Sequence, residues 1–312
     1  MTRMNVRLFG KFQVYRGDEA LRGLDVRKVQ ELLGYLLLYR HHSYPREMLA
    51  GLLWGDMNAA QAKRCMRQTL WQLQAWLRGP DAYTSDRLIL AAADAIRVNP
   101  QADLWLDVAE FECTFEQIKG RRGAELDPPA ARLLRAGIAL YQSDLLDGWY
   151  QDWCICERER LQAMYLTMLE KAMAYCEAQR EYEQALAYGA LVLRCDRAHE
   201  RTHRRLMRLY YLSGDRAAAL RQYQRCTAVL LEELGVCPSK HTSALYQQIQ
   251  ADHLPPAAAD GALIHRAEAP LAGALSRLKQ LQATLSGLEL QIEAEIRALE
   301  RVAGELSMLG GE

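Results

Sequence analysis

The chain has 312 residues, of which half are hydrophobic and a quarter are charged, as expected for a globular protein of two or more domains. Its 39 basic and 39 acidic residues give a net charge of zero, so nucleic-acid binding would have to depend on local basic clusters. No run of about 18 apolar residues is present and the N-terminus leads into a strand pattern instead of a signal peptide, so we expect a cytoplasmic protein without a membrane span.

The first forty residues predict two short strands and a helix. Val6 and Leu8, then Phe12 and Val14, alternate like strands over residues 4–9 and 11–15. A helix is predicted over residues 26–39, because its apolar residues recur at spacings of three and four.

Residues 45–77 predict a helix-turn-helix. Pro45 stands at the start of a short helix, where its missing N–H costs nothing. The predicted buried stripe of this helix is Met48, Leu49, Leu52 and Leu53. A long helix then runs from Asn58 to Leu77. Its outer side offers basic and amide side chains that suit contacts with phosphates and base edges in a major groove, namely Lys63, Arg64, Arg67, Gln68 and Gln72.

Residues 87–98 predict a hairpin with a turn near Ala93 and Asp94. Strands, three helices and a terminal hairpin are the components of a winged helix, which we assign to residues 1–102.

From Leu104 onward the pattern is almost wholly helical. The segment that begins at Arg180 recurs at Gly214, 34 residues later, with Ala185 matched by Ala219. This period predicts tetratricopeptide-like helix pairs, within a domain of residues 103–252.

Residues 253–270 are rich in Pro, Ala and Gly and predict a linker. Residues 271–309 then carry apolar side chains at alternating spacings of three and four, which predicts a coiled-coil helix. This segment is interpreted either as an oligomerisation or partner-binding helix, which we favour, or as a helix that folds back. The predicted contact residues are Leu278, Leu281, Leu285, Leu288, Ile292, Leu299, Val302 and Leu306.

Seven segments together resemble the SARP-type bacterial transcriptional activators, which join a winged helix to a tetratricopeptide-like activator domain. The segments begin at Val6 (VRLFG), Leu53 (LWGD), Leu106 (LDVAEFE), Glu157 (ERERL), His203 (HRRLM), Ala219 (ALRQY) and Glu232 (EELGVCPS). The resemblance runs from about Val6 to Ile249 and excludes the heptads.

The resemblance implies promoter binding by the winged helix and recruitment of RNA polymerase, with double-stranded DNA as a partner. By position, the third helix offers Lys63, Arg64, Arg67, Gln68, Trp71 and Gln72, and the wing offers Arg87 and Arg97 at its base. Two departures point to weakened or specialised DNA binding. The later half of the third helix lacks the Arg residues that are usual in the family, and the wing tip, residues 91–95, has no positive charge.

Other classes of function have less support. The eight cysteines form no CxxC pair, which argues against a zinc site or a disulfide framework. We find no phosphate-binding loop, nucleophile elbow or HExxH motif, so we predict no enzyme and no cofactor. Arg201, His203, Arg204, Arg205 and Arg208 form a basic run that we interpret as a solvated face or as ion pairs with nearby Glu residues.

Two alternatives to a DNA-binding regulator remain open. One is an adaptor that uses its helical domain and heptads to hold another protein and has lost most DNA binding. The other is a sensor whose helical-domain tyrosines line a groove for a small ligand, although tyrosine in paired helices usually serves packing.

Overall fold

The computed structural model describes residues 3–21, 23–78 and 88–253. The chain divides into a unit of Met1–Asp252 and a second unit of His253–Glu312. The predicted linker beyond His253, the heptads and their eight contact residues lie outside the described residues. Over the described ranges, no helix has the length and apolar character needed to cross a membrane.

The first unit has the predicted mainly α class, with small sheets near its N-terminus. Its strands are β1 (Met4–Arg7), β2 (Gln13–Arg16), β3 (Glu19–Ala20), β4 (Tyr44–Pro45), β5 (Ile89–Ala91), β6 (Ala95–Val98) and β7 (Leu104–Leu106). Its helices are α1 (Arg27–Leu38), α2 (Arg46–Leu53), α3 (Ala59–Leu77), α4 (Asp107–Ile118), α5 (Pro128–Leu140), α6 (Asp152–Ala178), α7 (Tyr182–Cys195), α8 (Glu200–Leu212), α9 (Arg216–Leu234) and α10 (Lys240–Gln250), with a 3-10 turn at Gly123–Glu125.

The N-terminal part is a winged helix. Strands β3, β2, β1 and β7 form one sheet in that order, and β4, β6 and β5 form a second. The predicted hairpin is confirmed as β5 and β6, which pair antiparallel. Helix α3 begins where the sequence predicts, because the Asn58 side chain accepts a hydrogen bond of 2.9 Å from the Gln61 backbone N–H.

Two predictions about this part are wrong. Leu49 and Leu53 of α2 are buried, but Met48 and Leu52 are exposed. A helix buries only the stripe of its surface that faces the core. In α2 this stripe contains Leu49, Ala50 and Leu53, and the other apolar side chains lie outside it. Residues 104–106 are not helical but form β7, which pairs parallel to β1. A three-residue strand is too short to show alternation in the sequence.

Helices α6 to α10 pack successively against one another, as expected for tetratricopeptide-like pairs. Ala185 of α7 and Ala219 of α9 are fully buried, as their matched places in the repeat predict. Gly189 marks a further close approach, because an added Cβ would lie 2.5 Å from the Leu206 Cδ2 atom. Gly214 adopts a φ of +88°, a conformation that favours glycine, and ends α8 before α9 begins.

Buried carboxylates join the winged helix to the helical part. Asp107, at the start of α4, accepts backbone N–H bonds from Leu8 at 2.8 Å and from Phe9 at 2.9 Å. Glu31 of α1 pairs with Lys28 at 2.9 Å and accepts a bond of 2.6 Å from Gln151, which precedes α6. The two parts share one hydrophobic core, and the domain boundary after residue 102 stays a prediction.

Candidate nucleic-acid interface

Helix α3 has one buried side and one polar side. Four side chains hold the helix on the core, Ala62, Met66, Leu70 and Leu73. The opposite side exposes Lys63, Arg64, Arg67, Gln68 and Trp71, and Gln72 is half-buried beside them. The helix contains three cationic side chains and no carboxylate, so its outer side has a local positive charge in a chain of zero net charge.

Within the part of the chain that the structure describes, Lys63 is the one of these cations that has an ionic partner. Its Nζ atom lies 2.6 Å from Oε1 of Glu47 on α2. The hydrogen bond and the charge of Lys63 lower the pKa of the Glu47 carboxyl. Glu47 therefore offsets the charge of Lys63, and the sequence pattern gave no sign of this pair because its members lie on different helices.

Arg64 and Arg67 differ from Lys63 in this respect. Neither guanidinium forms an ion pair with another residue of the described ranges. Both side chains are exposed, and Arg67 lies three residues beyond Arg64, about one turn along the helix. These two arginines therefore have charges available for an anionic ligand.

The two tryptophans of α3 have different surroundings. Trp76 is half-buried and packs against the hydrophobic core. Trp71 has 68% of its surface exposed. An indole in this position adds a large apolar surface to a polar helix face, next to Gln68 and Gln72.

The wing carries little positive charge in the structure, as in the sequence. Its turn is closed by a backbone bond of 2.8 Å from Ala92 N–H to the Ala95 carbonyl. Arg46, at the start of α2, fixes this turn by donating from its guanidinium to the Ala92 carbonyl at 2.7 Å. Arg97 is exposed on β6, whereas Arg87 lies outside the described residues.

Three arginines of the basic run in the helical part lie beside glutamates, as predicted. Arg205 donates to Glu177 at 2.9 Å, Arg204 lies 3.6 Å from Glu200, and Arg201 lies 3.8 Å from Glu170. His203 lies inside this run but points into the core. Its Nε2 atom is 2.9 Å from the Arg197 carbonyl and its Nδ1 atom is 2.8 Å from the Gln222 amide nitrogen.

Two of the tyrosines proposed to line a ligand groove instead stack on other rings. Tyr165 stacks on Tyr141 with centroids 4.1 Å apart, and Tyr223 stacks on Tyr246 at 4.2 Å. These contacts are typical of packing between helices. They give the sensor hypothesis no support.

Comparison with known proteins agrees with this architecture. Residues 106–250 match the family model of the bacterial transcriptional activator domain. The Regulatory protein AfsR of Streptomyces coelicolor is 27% identical over 280 residues, which are 89% of this chain and 27% of that protein. The Streptomyces griseus protein of the same name is 27% identical over 78% of this chain and 24% of its own length. The chain thus spans about a quarter of the length of these curated relatives.

A solved structure shares the fold. Mycobacterium tuberculosis EmbR, in complex with a low affinity phosphopeptide, matches 90% of this chain and 72% of its own, with a TM-score of 0.61 and 19% identity. A winged helix followed by a bacterial transcriptional activator domain defines a class of bacterial transcription regulators. The matched activator domain and the AfsR relatives support the resemblance to SARP-type regulators that the sequence motifs indicated, and the EmbR structure supports the fold.

Proposed function

We propose that this protein binds promoter DNA through α3 and activates transcription by recruiting RNA polymerase. The observation that carries the proposal is the pair Arg64 and Arg67. Their charges have no partner in the described structure, and they lie on the exposed side of the second helix of a helix-turn-helix. That helix is the one that enters the major groove in proteins of this architecture.

Each exposed side chain of α3 has a separate task in this proposal. Arg64 and Arg67 neutralise phosphates or donate to guanine, while Gln68 and Gln72 donate to and accept from adenine. Lys63 contributes when the DNA phosphates compete with Glu47. Arg97 at the wing base supplies one further cation, and Arg87 is proposed from the sequence alone.

The few cations of α3 and the wing imply modest affinity per protomer. Each lost phosphate contact flattens the salt dependence of binding by about 0.9 in the log–log slope. We propose that the heptads of residues 271–309 compensate by pairing protomers or by docking a helical partner, so that two weak contacts act together. Light scattering of the full chain, with and without residues 271–312, tests the pairing of protomers. The same number of protomers per particle in both would contradict pairing.

An electrophoretic shift experiment tests DNA binding. The full chain is incubated with genomic fragments at low salt in the presence of bulk competitor DNA. We expect a subset of fragments to shift at concentrations that leave the remainder free. Equal shifts of all fragments, or none, would rule out sequence-specific binding.

Recruitment of RNA polymerase needs its own test. We expect a promoter fragment selected in this way to give more run-off transcript with purified polymerase when the protein is added. A fragment that is bound without any gain in transcript would retain the DNA-binding half of the proposal and remove the activator half. The adaptor alternative is not favoured by the comparisons, nor by Arg64 and Arg67, which form no ion pair with a described residue.

A further inference from the structure

Trp71 is a large apolar side chain that is more exposed than folding requires. Its indole is 68% exposed in the middle of a helix whose other outward side chains are polar, charged or small. Trp76 of the same helix packs on the core, so α3 does not need a second indole for stability. Water contact with this much apolar surface is unfavourable, and a ligand that covers the indole gains the corresponding free energy.

The neighbours of Trp71 indicate the chemistry of that ligand. Arg67 lies four residues before Trp71 and Gln68 lies three before it, so both occupy the adjacent turn of the same side. Arg67 has no ion pair with a described residue, and α3 contains no carboxylate. A covering ligand must therefore combine negative charge near Arg67 with an apolar group near the indole.

A major groove that contains thymine meets both requirements. The thymine C5 methyl is the apolar group that the groove presents, and phosphates line its edge. Gln68, one turn away, has the donor and acceptor that match adenine N7 and N6. Adenine and thymine occur in the same base pair, so the indole and the amide favour the same class of sequence.

We infer that Trp71 is a specificity-determining residue that packs on a thymine methyl group and restricts the protein to A·T-containing sites. This inference rests on the proposed DNA-binding function. It assigns the indole to DNA in preference to a protein partner, because the cations one turn away complement a polyanion.

Uracil substitution isolates the methyl contact. Sites are first enriched from a random library with the full chain, and each thymine of the enriched site is then replaced singly by uracil, which pairs identically but lacks the methyl. We expect at least one position to weaken wild-type binding about fourfold, the ratio for one buried methyl group. The same replacement should change the binding of Trp71→Ala by less than about 1.5-fold and should still weaken Trp71→Phe.

Tyr150→Ala is the matched control, since this tyrosine is an aromatic residue of 79% exposure that lies outside α3. It should keep the wild-type ratio of thymine to uracil binding. Because both side chains are exposed, neither alanine variant should impair folding, and circular dichroism checks this.

The outcomes separate the inference from the function beneath it. If uracil has no effect on the wild type, or the same effect on Trp71→Ala, the methyl contact is wrong and DNA binding stands. If Trp71→Ala binds DNA as the wild type does but loses transcript, the indole contacts a protein and the inference is wrong. If the full chain enriches no sequence, the proposed function fails and the inference fails with it.

Discussion

Two clusters of basic residues look alike in the sequence and differ in the structure. On α8, Arg201, Arg204 and Arg205 each lie beside a glutamate from α6 or from α8 itself. On α3, Arg64 and Arg67 have no such partner among the described residues. The two helices have a similar local density of positive charge. The arginines of α3 are the ones whose charges are not offset by a described carboxylate, so they can pair with an anionic ligand. The comparison teaches that carboxylates brought in by packing, more than basic residues themselves, decide which surface can bind an anion.

The largest expected effect comes from removing the unpaired charges. Each phosphate contact contributes about 0.9 to the log–log salt slope, so it strengthens binding about eightfold when salt falls from 1 M to 0.1 M. The double variant Arg64→Ala with Arg67→Ala loses two such contacts and should bind an enriched DNA site about 60-fold more weakly at 0.1 M salt. Fluorescence anisotropy measures this. The control is Arg201→Ala with Arg221→Ala, two exposed arginines that pair with Glu170 and Asp215. Comparable losses in both double variants would abolish the distinction between the clusters.

For the arginines of α8, which pair with glutamates, we expect substitution to lower stability and to leave DNA affinity unchanged. Arg205 is only 24% exposed and donates from two nitrogens to Glu177 and from a third to the Glu170 carbonyl. Arg205→Ala should lower the free energy of unfolding by about 1–3 kcal/mol, because the loss leaves partly buried acceptors unsatisfied. Urea denaturation measures this, with Arg201→Ala, 55% exposed, as the control that should change little. DNA affinity should be unaffected by either change.

A substitution at Glu47 tests whether Lys63 belongs to the DNA interface. Glu47→Gln removes the carboxylate that offsets Lys63 and should raise DNA affinity by up to about eightfold at 0.1 M salt, the value of one phosphate contact. Glu232→Gln is the control, because Glu232 pairs with Arg197 in the helical part. If Glu47→Gln leaves both the affinity and its salt dependence unchanged, Lys63 is not part of the interface.

The smallest effect concerns His203, buried within the paired cluster. Burial lowers its pKa below 6.5, so on acidification the unfolded chain takes up the proton first and stability falls as the pH drops below about 6.5. Between pH 7.0 and 6.0 this should cost no more than about 0.7 kcal/mol, because an unfolded histidine is on average half-protonated over this range and one proton changes stability by about 1.4 kcal/mol per pH unit. Chemical denaturation of His203→Gln should show a shallower loss than that of the wild type. His41→Gln, at an exposed position, is the control and should lose stability on acidification as the wild type does. An equally steep loss in His203→Gln and His41→Gln would contradict this prediction.

The sequence predicted the features that depend on local chemistry. The Asn58 cap, the hairpin of residues 89–98 and the buried alanines of the repeat follow from residue type and spacing, and all are present. The prediction failed where a partner far along the chain decides the outcome. Strand β7 exists because it pairs with β1, and Met48 is exposed because of how α2 lies on its neighbours.

The candidate site shows the same division. The sequence identified the polar side of α3 correctly as a surface, since helical periodicity separates it from the buried side. It could not show that Glu47 reaches Lys63 from another helix. Nor could it show Arg46 holding the wing turn, which needs two strands and a helix to be placed together.

Photo-crosslinking tests the central claim, that α3 and not the helical part faces DNA, most directly. A benzophenone side chain is placed at Gln68 in one protein and at Arg221, exposed on α9, in another. Each full chain is irradiated with an enriched DNA site, and protein–DNA adducts are counted. We predict adducts from position 68 that map to bases within the site, and none above background from position 221. Adducts from position 221 without any from position 68 would contradict the account.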